Sequence, residues 1–191
     1  MYQPKKNSKP FLEGKDIGRY QISWKNRYIL FDRNILHRPR PNYVWESKEK
    51  IIIRRIGGGS IAIHAALDTH QFYTFASINN LLLRQNSGIA YKYLLALLNS
   101  RLLNWYYVEN FTNRSELTVN ISRTYLDQLP IVVPPNKLQE EIMALVDQIL
   151  SAKNSNQKAN TNILEHQIDQ LVYQLYGLTS EEIAIVEGNN K

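Results

Sequence analysis

Residues 89–135 constrain the fold of this chain more than any other stretch. Tyr91, Leu94, Leu98, Leu102 and Trp105 recur at helical spacing and predict one continuous apolar helix face. Lys92, Asn99, Ser100 and Asn104 fall on the opposite side. At 1.5 Å rise per residue, such a helix spans a small domain and serves as a beam for flanking strands. A polar stretch, Phe111-Thr112-Asn113-Arg114-Ser115, hangs off its end, and Leu129 to Pro135 follows as a proline-stiffened extended segment that reads as a hinge out of the globule.

Charge is distributed unevenly. The chain of 191 residues carries a net charge of +6. Residues 1–60 hold 14 Lys/Arg against 5 Asp/Glu, a net of +9, and the remaining residues carry −3. A polyanion is the natural partner of such a field, although basic surfaces without a partner are common. An apolar share of 43% supports a packed core. The absence of cysteine excludes disulfide and thiolate-metal chemistry and is compatible with a reducing cytoplasm, the expected location. Lys5, Lys6 and Lys9 have no apolar run behind them, so no signal peptide is expected. Polar residues interrupt the longest apolar helix, which argues against a membrane span.

Residues 11–60 interleave aromatics with Lys15, Arg19, Lys25, Arg27, Arg33, Arg38 and Arg40. Cations can neutralise phosphates and aromatics can stack on bases. For most of these aromatics a core position explains the pattern equally well. His37-Arg38-Pro39-Arg40-Pro41 differs, because its two prolines hold two arginines on a stiff loop. Residues 50–56 form a β-branched strand, broken by Gly57-Gly58-Gly59-Ser60 and resumed at Ile61-Ala62-Ile63, which predicts a hairpin. Arg54 and Arg55 are adjacent and so point to opposite faces. Residues 71–76 and 79–84 predict two further strands. Asn113, Arg114 and Ser115 could read base edges, or form an ordinary polar connection.

From Asn136 the pattern is helical, with Gln139 placed for a capping box. Leu138, Ile142, Leu145 and Ile149 keep one face apolar, and a second apolar helix runs through Ile168, Leu171 and Leu175 to Gly177. Thr179 and Glu182 predict a capping box for a short last helix. The apolar stripe of this hairpin must bury itself on the globule, on a second copy, or on a catalytic domain.

The blocks LLALLNSRLLNWYY (94–107), YLDQLPIVVPP (125–135), LEGKDIGRYQISW (12–24), KIIIRRIGGGSIAIHAALD (50–68) and IDQLVYQLYGLTSEEIAIVE (168–187) resemble, in order, the TaqI-like C-terminal specificity domain. That module is the target-recognition part of adenine-N6 DNA methyltransferases and fused restriction–modification enzymes. The resemblance implies an α+β fold: a mixed-sheet recognition globule with a long packed helix over residues 1–135, then a helical hairpin over 136–191. It implies a non-catalytic DNA-recognition module without a cofactor, with double-stranded DNA and a methyltransferase or restriction catalytic domain as partners, and a homodimer through the C-terminal helices as a further option. The expected DNA-binding residues are Lys15, Arg19, Arg27, Arg38, Arg40, Arg54, Arg55, Asn113, Arg114 and Ser115. Methylation by the chain alone is not expected, because the single Pro134-Pro135 lacks the Asn/Asp-Pro-Pro-aromatic setting. A protein–protein assembly module is one alternative. A small Mg²⁺ nuclease built on Glu13-Gly14-Lys15 or Glu46-Ser47-Lys48 is the other. His37, His64, His70 and His166 lack metal-ligand spacing.

Overall fold

A computed structural model describes residues 7–36, 39–58, 61–112 and 118–188. The strands are β1 (Ser8–Leu12), β2 (Ile17–Gly18), β3 (Gln21–Ile22), β4 (Tyr28–Leu30), β5 (Lys50–Arg54), β6 (Ile56–Gly57), β7 (Ala65–Asp68), β8 (Tyr73–Thr74), β9 (Ile78–Leu81) and β10 (Val119–Asn120). The helices are α1 (Asn42–Glu46), α2 (Tyr91–Asn99), α3 (Arg101–Phe111), α4 (Arg123–Leu126), α5 (Asn136–Ser155), α6 (Asn162–Tyr176) and α7 (Ser180–Val186). Mixed small sheets and packed helices make this an α+β fold.

β5 is the centre of the sheet β7-β5-β9, antiparallel to both neighbours. Its alternation sorts the two faces. Ile51 and Ile53 join the core built with α2, α3, α5 and α6, while Ile52 joins Leu12, Ile17, Ala66, Phe72 and Ile78 on the other side. That second layer is closed by β1, which pairs antiparallel with β4 and parallel with β8. At one end of the sheet, Lys50 and Asp68 are cross-strand partners with fully buried side chains, Nζ to Oδ2 2.7 Å. The Trp45 carbonyl accepts from Lys50, and the His70 and Phe72 amides donate to Asp68, so neither ion is left bare.

The predicted beam is two helices. Ser100 is extended at φ −68°, ψ 154°, ends α2, and caps α3 by accepting from the Leu103 amide. The polar residues opposite the apolar stripe explain the break. Asn99, Ser100 and Asn104 are all buried. Asn99 accepts from the Ala65 amide at 3.1 Å and donates to the Ala65 carbonyl at 3.0 Å. Asn104 accepts from the Ile63 amide at 2.7 Å and donates to the Leu98 and Ser100 carbonyls. The segment expected to resume the hairpin at residues 61–63 is therefore paired by side-chain amides from the helix junction, and the regular partner of β5 is β7. Gly57 is required nearby, because a Cβ there would lie 1.9 Å from the Ala62 carbonyl oxygen. The strands predicted over 71–76 and 79–84 are shorter, and residues 75–77 are exposed in a turn closed by the amide of the buried Ile78 on the Phe75 carbonyl.

The C-terminal helices bury their stripe on the globule. Ile142, Val146, Ile149, Ile168 and Val172 share one core with Leu94, Leu95 and Leu98. The capping box expected at Asn136 is not made. Helix α5 begins after Pro135, and Gln139 instead accepts from the Ala90 amide at the start of α2 at 2.7 Å. The extended residues before α5 are strapped down by Tyr93 on the Val132 carbonyl and Tyr176 on the Pro130 carbonyl. Gly177 closes α6 in the left-handed conformation at φ 68°, and Thr179 with Glu182 forms the expected capping box of α7. No described helix is long and apolar enough to cross a membrane.

Substitutions at these contacts have contrasting expected costs. Asn99→Ala removes the side-chain acceptor of the Ala65 amide and one of two donors to its carbonyl, the Tyr20 amide remaining, and should lower unfolding free energy by about 1–3 kcal/mol, because it strands a buried polar group. Gly57→Ala should cost about 1–3 kcal/mol by overpacking. Gly18→Ala, where the nearest atom would be 3.8 Å away, should change stability by less than about 0.5 kcal/mol. Urea midpoints of the three variants supply the comparison.

Candidate nucleic-acid interface

The basic residues of the first third divide into two sets with different electrostatics. One set is neutralised. Arg27 bridges Asp16, its closest partner, and Glu13, with Nη1 to Glu13 Oε2 at 3.2 Å. Lys15 pairs with the same Glu13 at 2.7 Å. The hydrogen bond from Lys15, aided by the charge of Arg27, holds the Glu13 carboxyl below its usual range. Glu13 and Asp16, the acids that a Glu-x-Lys nuclease centre would need, are thus engaged with cations. Among the described residues no group of three His, Asp or Glu side chains could hold a metal. Arg19 turns away from this cluster. It donates to the Asn99 carbonyl at 2.8 Å, which caps the end of α2, and pairs with Glu165 of α6 at 2.7 Å. This arginine ties the β2–β3 turn to the helical tail.

The other set has no carboxylate partner among the described residues. Arg54 continues the β5 alternation onto the β1 side of the sheet, with its Cγ 3.4 Å from the Cβ position of Gly14. Its Nη2 lies 3.5 Å from His64 Nδ1 and its Nε is buried without a partner. Burial, then the charge of Arg54 and to a lesser extent that of Arg19, lowers the pKa of His64, while the Ala62 carbonyl opposes the shift. His64 Nδ1 also lies 3.4 Å from the Ala62 carbonyl, and the ring tautomer decides whether it donates there or accepts from the guanidinium. Arg55 lies beyond the strand. Its amide donates to the Ser77 carbonyl at 3.0 Å and its Nη1 to the Ala76 carbonyl at 3.3 Å. Arg40 reaches the same turn from the proline-flanked loop, with Nη2 2.8 Å from the Ile78 carbonyl and 3.5 Å from that of Phe75. Burial, and after it the charge of Arg55, pulls the Arg40 guanidinium below its ordinary pKa.

The turn at 75–78 is therefore the node of the surface. Gly14 also joins it, through its amide on Ser77 Oγ at 3.3 Å, which brings the segment carrying Lys15 alongside. The next strand, β6, pairs with β10, and the Ile121 amide donates to the Arg55 carbonyl at 2.7 Å. Strand β10 begins two residues after Leu117, so the chain leaving residues 113–117 is fastened directly beside Arg55. Behind β10, Tyr107 donates to the Asn120 carbonyl and accepts from the Ser122 amide, and Phe111 stacks on Tyr125 with centroids 4.9 Å apart.

Of the ten residues expected at the interface, the fold gathers Arg40, Arg54 and Arg55 about this turn, with Lys15 beside it. Arg19 and Arg27 are drawn into ion pairs elsewhere. Arg38, Asn113, Arg114 and Ser115 lie outside the described residues. Two contributors lie outside the expected set of ten, although Arg33 is among the cations of residues 11–60. Arg33 is exposed and donates to the Arg40 carbonyl at 3.2 Å and to the Asn42 side chain, so it supports the loop that carries Arg40. The carbonyls of Phe75, Ala76 and Ile78 hold the guanidinium planes, and no side-chain pattern marks them.

Comparison with known proteins gives this geometry a context. A protein of Methanocaldococcus jannaschii, RM.MjaORFECS2P, assigned as a type II restriction enzyme and methyltransferase, is 30% identical over 172 residues. The match covers 87% of this chain and 14% of that protein. The solved structure of the type IIL restriction–modification enzyme MmeI in complex with DNA superposes with a TM-score of 0.65 over 92% of this chain. This chain spans 29% of that one, and at 13% identity the likeness concerns the fold. The model of the TaqI-like C-terminal specificity domain matches residues 9–131, well over half of the length. The protein belongs to the family of TaqI-like C-terminal specificity domains.

Proposed function

We propose that this chain is the DNA-recognition module of a restriction–modification or DNA adenine methyltransferase system, non-catalytic by itself. The observation that carries the reading is the gathering of Arg40, Arg54 and Arg55 at one corner of the sheet without a carboxylate partner among the described residues. Guanidiniums left uncompensated while Arg19 and Arg27 are neutralised mark where an external anion relieves the field. The same corner adjoins β10, the strand that follows residues 113–117 in the chain. Phosphate contacts supply affinity and register, and base-edge contacts supply sequence.

The covalent chemistry belongs to another segment or chain. Both relatives are several times longer than the stretch they share with this protein. Double-stranded DNA and such a catalytic part are the partners of this reading. The helical tail lends no separate support to self-association, since its core-facing stripe is covered by α2.

Binding to a pool of DNA duplexes over a series of salt concentrations tests the proposal. Log affinity should fall linearly with log salt, with a slope of about −0.9 per phosphate contact. Arg54→Gln should weaken binding, and Lys158→Gln, in the connection between α5 and α6, should not. Binding to no duplex, or binding indifferent to salt, would sink the reading.

A further inference from the structure

We infer that Arg40 and Arg55 together form a seat for one tetrahedral oxyanion, and that on DNA this anion is a backbone phosphate and not a base edge. The inference rests on the DNA-recognition reading for its source of phosphate, but the seat itself follows from local geometry.

The two guanidiniums are fixed by carbonyls of one exposed turn, Arg40 on Phe75 and Ile78 and Arg55 on Ala76. The carbonyls belong to residues 75, 76 and 78 of one turn, and the charge of Arg55 is felt at Arg40, so the two cations are neighbours. Carbonyl anchoring fixes the orientation of each plane without cancelling its charge. Each guanidinium has five N–H donors. Arg40 uses one nitrogen on the turn and Arg55 uses one, which leaves donors on both for a shared acceptor. The acids flanking Gly14 are engaged, Glu13 with Lys15 and Arg27 and Asp16 with Arg27. Two like charges, one of them half-buried, are thus held together with no ion pair to a carboxylate among the described residues.

The nature of the occupant follows from charge. A guanine edge offers two neutral acceptors and suits one guanidinium. It cannot offset two. A phosphate carries a formal negative charge and several acceptor oxygens, and it can take donors from both arginines at once. Because the side chains are already ordered by the turn, little rotamer entropy remains to be lost on binding. The seat should therefore add affinity and salt dependence without sequence preference.

The test uses the full chain, with Arg40→Gln, Arg55→Gln and the charge-preserving Arg55→Lys. In the first arm, melting temperature is followed with inorganic phosphate or sulfate against chloride at equal ionic strength. The wild type should be stabilised selectively by the oxyanions, and both Gln variants should lose that response. In the second arm, the salt slope of duplex binding should shrink by about 0.9 in Arg55→Gln, equally on all sequences, and be retained in Arg55→Lys, since a lysine still meets a phosphate as a point charge. Melting without added anion confirms that the variants fold. An oxyanion response with no duplex binding would uphold the seat and remove DNA as its source. A changed sequence preference at constant salt slope would make Arg55 a base reader and overturn the inference. So would oxyanion responses identical in wild type and Gln variants.

Discussion

The fold depends on the way two buried asparagines hold an extended segment against the helix junction. Asn99 and Asn104 sit on either side of the Ser100 break and bond the Ala65 and Ile63 peptides. A continuous helix through residues 91–111 would place these amides on successive turns of one rigid rod. Ending α2 at Asn99 lets the two side chains address alternate peptides of one extended segment. That contact fixes the distance between helices and sheet, and the apolar packing of Ile51 and Ile53 against Leu94, Leu95 and Leu98 follows from it. Buried amides that are fully partnered specify one register, whereas apolar side chains alone tolerate sliding.

Register matters here because it places the arginines. Residues 61–65 run back from the Gly57 corner, and Gly57 allows the Ala62 carbonyl to approach closer than any side chain would permit. A shift of one residue in β5 would exchange the faces of Ile52 and Ile53 and carry Arg54 from the β1 side to the helix side. The surface arginines are thus held at the end of a chain of constraints that begins in the core. Arg19 extends the same logic to the tail, since one side chain caps α2 and pairs with α6. The helical tail is in this way fastened to the recognition globule through charge as well as through the Ile142–Val146–Ile149 stripe.

Elements written in a repeating pattern are legible from the amino-acid order alone. The β5 run, the two tail helices, the left-handed Gly177 and the Thr179–Glu182 cap all follow from local chemistry, and all are present. The departures at the helix junction and at the start of α5 share one cause: a polar side chain answering a distant peptide. Asn99 and Asn104 opposite an apolar stripe look like a hydrophilic face until Ala65 and Ile63 are known to lie against them. Gln139 has the right spacing for its own helix's cap but reaches 49 residues back to Ala90. The interface is legible in the same partial way. Composition locates the positive charge in the first third, and the prolines single out the loop of Arg40. Composition does not say that Arg27 and Arg19 meet acids across 11 and 146 residues of chain, while Arg40 and Arg55 meet none among the described residues. Pairing is a tertiary property, and it decides which cations remain available.

That sorting bears on what substitution at this surface can change. Arg40 and Arg55 are fixed by backbone carbonyls of the 75–78 turn, which do not depend on the identity of the side chains there. Phe75, Ala76 and Ser77 are exposed, so substitution at the turn alters the surface without dismantling the carbonyl seat. Strand β10 is fastened by β6 and by Tyr107, and the residue after it, Ile121, by the Arg55 carbonyl and the Asn79 side chain. Arg55 belongs to both fastenings, its guanidinium on the Ala76 carbonyl and its own carbonyl under the Ile121 amide. Side-chain changes on either side of it leave these bonds in place, because both end on main-chain groups.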